Sequence, residues 1–321
     1  MMRDLTCFGD ASIQIADAAS SSSSSGAGAG GGGIRGRRGK HSGAAGARSR
    51  VTCLYHALLA GRPCALSVTW TRGGGLAGQA AAAAVSIVAA DAASGDNLFR
   101  VDVKPWLFAK HKGSKSLDVA GGASKADVFW DLSGARFGGA SPEPEEGFYI
   151  AVVCDGDMVL LLGDMRKEAF RKTGAGGPAA DTLLVARREH VVGKKVFAAK
   201  AQFFHHGRCH DIVIECDTAT GTKDNDPCLV IYIDRRPVMR VRRLAWKFRG
   251  NQTVLVDGLP VEVFWDVHGW LFGSASNAVF MFQTCQAPQK SAPWAYLQIF
   301  KEPQLQEGHG FSLTIHAWKV E

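Results

Sequence analysis

Two stretches of this chain can be laid on one another without a gap. Val128-Phe129-Trp130-Asp131-Leu132-Ser133-Gly134-Ala135-Arg136-Phe137-Gly138-Gly139-Ala140-Ser141 agrees with Val263-Phe264-Trp265-Asp266-Val267-His268-Gly269-Trp270-Leu271-Phe272-Gly273-Ser274-Ala275-Ser276 in nine of fourteen columns. Such a duplication obliges the fold to use one local structure twice. Upstream, Lys110–Ser114 lies on Lys247–Asn251, with Leu117 and Val119 on Val254 and Val256, and Val101–Pro105 resembles Ile233–Pro237. Each half therefore reads as a strand, a basic hairpin tip at Gly113 or Gly250, a second strand, and Val-Phe-Trp-Asp ending at a turn. Gly followed by a small polar residue suits a type II′ turn.

Beyond residue 50 the dominant hydrophobic period is two. Phe311, Leu313 and Ile315 alternate with Ser312, Thr314 and His316, and Ile212 and Ile214 alternate with Asp211 and Glu215, as half-buried strands require. Further strands are predicted over 64–70, 84–89, 98–103, 148–154, 158–162, 196–204, 229–233, 279–285 and 295–300. Asp155-Gly156 between two apolar runs marks a type I′ hairpin. One short helix is predicted from Asp164 as N-cap, through Glu168, to Gly174 as stop. The opposite parity of Met239 and Val241 against Leu244, Trp246 and Phe248 calls for a break near Arg242-Arg243. The fold class is all-β: an antiparallel β-sandwich or barrel-like unit of two diverged pseudo-repeats, about 51–165 and 183–321, sharing a core.

Residues 1–50 read as an arm whose Ser20–Ser25 and Gly26–Gly33 runs have no apolar surface to bury, which implies disorder. This arm holds seven basic and three acidic residues, +4 of the +7 total, so the remainder carries only +3. That mild excess speaks against a dedicated nucleic-acid binder. The eight cysteines show no paired spacing, which suits a reducing compartment. The N-terminus has early acids and no secretory apolar core, and no stretch reaches the roughly 18 apolar residues of a membrane span. The expectation is an intracellular protein of cytoplasm or nucleus.

No GxSxG, P-loop or catalytic-cysteine signature occurs, and the expectation is that the chain is not an enzyme and takes no cofactor. Gly28–Gly33 formally fits GxGxxG but lacks the strand and helix that the motif needs. Glu143, Glu145 and Glu146 alternate with prolines in a segment expected to be extended and exposed. No metal site is expected; His206, Cys209 and His210 are the weak candidates, without a second ligand pair at zinc spacing. Trp130, Asp131, Trp265 and Asp266 either support turns, each Asp capping the turn that follows, or line a pocket between the halves. Arg235–Arg249 holds seven basic residues and no acid. Lys110, Lys112, Lys115, Arg240, Arg242, Lys247 and Arg249, beside Trp106 and Trp246, are the candidate anion-binding residues, against the alternative that such charges guard edge strands.

Val51–Tyr55, Ser67–Trp70, Lys112–Ser116, Val128–Leu132, Pro142–Tyr149, Leu160–Met165, Ala201–Phe203 and Val261–Asp266, with the Met-Arg-Asp…Cys-Phe-Gly opening, resemble a plant-specific family of uncharacterised proteins, the domain-of-unknown-function family eight-six-eight. The resemblance implies a plant protein and supplies no activity. The functional expectation is a non-enzymatic binding module with a protein partner. The first alternative is a peripheral binder of anionic membrane or phosphoinositide through basic hairpin tips. A small-molecule-binding sandwich or barrel is the second, and nucleic acid is not expected.

Overall fold

The computed structural model describes residues 47–72, 83–104, 111–138, 141–176, 182–204, 207–217, 227–273, 277–284 and 310–319. All fall within one unit, Gly43–Glu321. The expected disordered arm up to residue 46, the strand at 295–300, most of the Ala-rich stretch from Leu76, and Trp106, Lys110 and His206 lie outside the described residues.

Four strands open the domain as an antiparallel meander: β1 (Ala47–Leu59), β2 (Arg62–Arg72), β3 (Ala83–Asp91) and β4 (Asn97–Val103). A second sheet follows, in the order β10 (Asp157–Gly163), β9 (Tyr149–Cys154), β6 (Ser124–Asp131), β5 (Lys112–Val119). The small ribbon of β7 (Arg136–Phe137) and β8 (Pro144–Glu146) interrupts it. The second half repeats the scheme. A meander of β12 (Val196–Ala201), β13 (His210–Asp217), β14 (Cys228–Ile233) and β15 (Arg236–Val241) precedes one of β16 (Arg249–Val256), β17 (Leu259–Asp266), β18 (Asn277–Thr284) and β19 (Ser312–Lys319).

The long strand β11 (Leu183–Gly193) joins the halves, running antiparallel to β1 and parallel to β19. One nine-stranded sheet results, in the order β16-β17-β18-β19-β11-β1-β2-β3-β4. Its ends stay open, so the sandwich expectation holds and the barrel alternative does not. Register fixes which residues share a face: Cys53, Arg187 and Leu313 stand opposite one another, as do Val51, Glu189 and Ile315. Because side chains alternate along a strand, both four-stranded sheets cover this same face.

The interior is divided where a shared core was expected. Leu66, Val68, Trp70 and Ile87 pack on Val128, Ile150 and Val152 in the first half. In the second, Phe197, Ile212, Ile214 and Ile231 pack on Val263, Phe280, Phe282, Leu313 and Ile315. Each such fully buried side chain contributes about 1.5–3 kcal/mol by leaving water.

Between the two cores, β11 turns charge inward. Glu189 is 0% exposed. It accepts Arg48 Nε at 2.6 Å and Arg187 Nε at 2.7 Å, while Arg187 also reaches Glu143 at 2.7 Å. A bulge between Arg48 and Arg50 is what brings Arg48 round to this face. Glu143 is thereby a partner of a buried guanidinium rather than a free exposed carboxylate. Burial works against the Arg187 charge, yet Cys53, Glu143 and Glu189 hold its pKa well above the ordinary range.

Asp155-Gly156 forms the expected hairpin with φ of 50° and 91°. Strand β15 ends at Val241, and Arg243 takes a left-handed φ of 55°, the break that parity demanded. The helix α1 (Arg166–Thr173) stops at left-handed Gly174 as expected, but Asp164 does not cap it. Its carboxylate accepts the amides of Gly147 and Phe148 instead.

Candidate functional site

The repeated Val-Phe-Trp-Asp segments fall on β6 and β17, each paired to the basic edge strand that precedes it. Lys112 stands opposite Asp131 and Gly113 opposite Trp130; Arg249 stands opposite Asp266 and Gly250 opposite Trp265. The ion pairs repeat as well, Lys112 Nζ to Asp131 at 2.9 Å and Arg249 Nε to Asp266 at 2.8 Å. Each Asp caps the next turn, Asp131 accepting the Ser133 amide and Asp266 the His268 amide, both at 3.0 Å. Burial opposes the Asp131 charge, but hydrogen bonds from Ser133 and Lys112 hold its pKa below the usual carboxylate range.

This geometry corrects three sequence expectations. Gly113 and Gly250 are not hairpin tips: both lie inside strands, and the turns come later, at Ala120–Ala123 and Asp257-Gly258. Glycine is required because a Cβ at Gly113 would stand 2.6 Å from Trp130 Cζ2, and the same overlap occurs between Gly250 and Trp265. Nor do Trp130 and Trp265 line one pocket, since each indole packs against the core of its own half. The proposed match of Val101–Pro105 to Ile233–Pro237 also fails over the described residues, because Val101–Val103 belong to β4 and are not followed by a turn like the left-handed Asp234-Arg235, which leads from β14 into β15.

Of the weak metal candidates, His210 is otherwise engaged. His210 is buried, with Nδ1 2.9 Å from Asp234 and Nε2 3.1 Å from Asp257, while Cys209 is exposed. Arg208 bridges the same two carboxylates, and its hydrogen bond leads in holding the Asp257 pKa low. No group of three metal-ligand side chains occurs among the described residues. Burial pushes the thiols of Cys53 and Cys216 up to about 11 and that of Cys64 to about 12, leaving them without nucleophilic thiolate at neutral pH.

The candidate anion-binding residues separate by half. Lys112 and Lys115 lie on β5, an edge strand, while Arg240 lies on β15 and Arg249 on β16, which are also edges. Arg242 and Lys247 belong to the connection between β15 and β16, where they meet the exposed aromatic surface of Trp246. Leu244, 0% exposed, anchors that connection in the core, its amide donating to the Pro227 carbonyl. The Trp246 and Lys247 amides close the turn on the Arg243 carbonyl at 2.9 and 3.1 Å. Trp265 Nε1 then ties the Lys247 carbonyl down at 2.9 Å. Two core contacts thus fasten a turn that holds Trp246 out in solvent, 86% exposed.

Beside it Phe248 packs edge-on against Phe272, itself 56% exposed, at 5.7 Å, and the Arg249 guanidinium lies over the Phe248 ring. Arg249 is neutralised by Asp266, but Arg242, Arg243 and Lys247 are exposed and have no ion-pair partner among the described residues. The sequence sets Trp246 beside the basic residues but assigns it the same strand parity as Leu244; the turn that closes on the Arg243 carbonyl is what buries Leu244 and leaves Trp246 exposed.

Among the described residues no helix is long and apolar enough to cross a membrane. Neither the curated proteins nor the solved structures contain a match to this chain. A family model described as plant protein of unknown function (DUF868) matches residues 46–319, from the start of β1 to the end of β19, and the chain belongs to that family.

Proposed function

We propose that this protein is a non-enzymatic binding module that docks on anionic membrane surfaces through the corner between β15 and β16. The observation that carries the reading is Trp246, 86% exposed on a turn fastened at both ends, among three cations with no ion-pair partner among the described residues. Exposing an indole costs free energy in water, and an amphipathic ring gains most at the headgroup level of a bilayer. Each Lys or Arg beside an anionic leaflet adds about 1 kcal/mol, so Arg242, Arg243 and Lys247 supply the electrostatic half of such a contact. Fastening the turn before contact lowers the ordering cost of binding.

Sedimentation of the purified chain with vesicles of phosphatidylcholine, with and without phosphatidylserine, tests this. Binding to the anionic vesicles alone, weakened by added salt, is the expected result. Equal recovery with both vesicle types, or with neither, would overturn it and return the corner to an acidic protein partner.

A further inference from the structure

The face of the nine-stranded sheet turned away from the two smaller sheets carries a groove of about 630 Å³. Its floor is a single cross-strand row, Ala186, Leu54, Ser67 and Val88, on β11, β1, β2 and β3. Three strand spacings make that row about 14 Å long. The four side chains are small or aliphatic, so the floor stays low and largely apolar. The turn Asp91–Gly95 walls the β3 side, and Arg188 stands on the β11 side.

Arg188 differs from its neighbour Arg187. Arg187 points inward to two carboxylates, whereas Arg188 points into the groove and has no ion pair or hydrogen bond among the described residues. It is half-buried, and that burial pushes its pKa down with no acid to offset the effect. Arg50, His190 and His316 share this face, and no Asp or Glu occupies it on β1, β2, β11 or β19. A half-desolvated guanidinium without a counter-ion is matched by a planar carboxylate, which it can grip with two parallel hydrogen bonds. At the far side Asp91 accepts the amides of Ala93 and Ser94, which hold its carboxyl ionised and repel a second negative charge there.

We infer that this groove binds a monocarboxylate with an unbranched apolar body, its carboxylate on Arg188 and its chain along Ala186, Leu54, Ser67 and Val88 toward the Asp91–Gly95 turn. The volume lies within the roughly 300–1,000 Å³ of small-ligand sites. The site is separate from the Trp246 corner and stands or falls independently of it.

Calorimetric titration of the full chain, in buffer free of lipid, with octanoate, octanol and octanedioate tests the assignment. Octanoate should bind saturably at one site, about 10- to 100-fold more tightly than octanol, the worth of a charge-assisted hydrogen bond. Octanedioate should bind more weakly than octanoate because of Asp91. Arg188→Gln should lower octanoate affinity to that of octanol and leave octanol unchanged, and Ser67→Leu should abolish both by filling the floor. Equal affinity of the wild-type chain for octanoate and octanol, no saturable octanoate binding, or undiminished binding by Arg188→Gln would each overturn the inference. The wild-type comparison needs no variant, so a folding defect in either substitution leaves the test intact.

Discussion

The indole of Trp265 covers Gly250 so closely that a Cβ on the glycine would overlap ring atom Cζ2. The ring has little room to yield, because it is buried and its Nε1 is bonded to the Lys247 carbonyl at 2.9 Å. Gly250→Ala should therefore destabilise the domain by about 1–3 kcal/mol, the usual cost of overpacking. Urea unfolding of Gly250→Ala, Trp265→Leu and the double variant checks it. The alanine should cost much less in the Trp265→Leu background, and additive costs would contradict the contact.

Among the described residues Glu189 is the one carboxylate paired with Arg48, and it shares Arg187 with Glu143. Glu189→Gln takes the buried counter-charge from the part-buried Arg48 guanidinium and should cost about 3–5 kcal/mol. Loss of stability well under that range, measured by the same unfolding method, would show that the seam between the two cores is wetter than its burial implies.

His190 and His316 stack at 4.8 Å on adjacent strands. Burial, with help from His190 and Arg188, lowers the His316 pKa from 6.5 to about 4; burial, Arg50 and Arg188 lower that of His190. A histidine held neutral in the folded state binds fewer protons there than in the unfolded chain. Its contribution is complete above about pH 6.5 and falls away as pH drops toward 4. Between pH 7 and pH 5 His316 should account for a loss of about 1 kcal/mol after allowance for solvent screening. His316→Gln should flatten that part of the stability profile, and an unchanged slope would contradict the assignment.

Much of the architecture is legible in local pattern. The period of two, the Asp155-Gly156 hairpin and the stop at Gly174 are decided within a few residues, so the sequence exposes them. Gly250 is not legible in this way: its reason is an indole fifteen positions later on the neighbouring strand, and a glycine beside a polar residue reads as a turn. Strand β11 is harder still, because Arg187, Arg188 and Glu189 give no apolar alternation and the partners of Arg187 and Glu189, Glu143 and Arg48, are remote in the chain. The site was half visible. Seven cations in Arg235–Arg249, with Trp246 beside them, read either as an anion-binding face or as charges guarding edge strands, and parity alone does not show that the turn closing on Arg243 buries Leu244 while it exposes Trp246.

Partition onto phosphatidylserine-containing vesicles, compared between the wild-type chain, Trp246→Ala, and the triple variant Arg242→Glu, Arg243→Glu, Lys247→Glu, tests the docking claim most directly. Circular dichroism and urea midpoints establish that all three are folded. The triple variant should partition about 100-fold or more weakly, at ~1 kcal/mol for each cation near the surface. Trp246→Ala should lose about 10-fold through apolar contact alone, with the salt dependence unchanged. Wild-type partitioning by both folded variants would contradict the account and leave the exposed tryptophan without a lipid role.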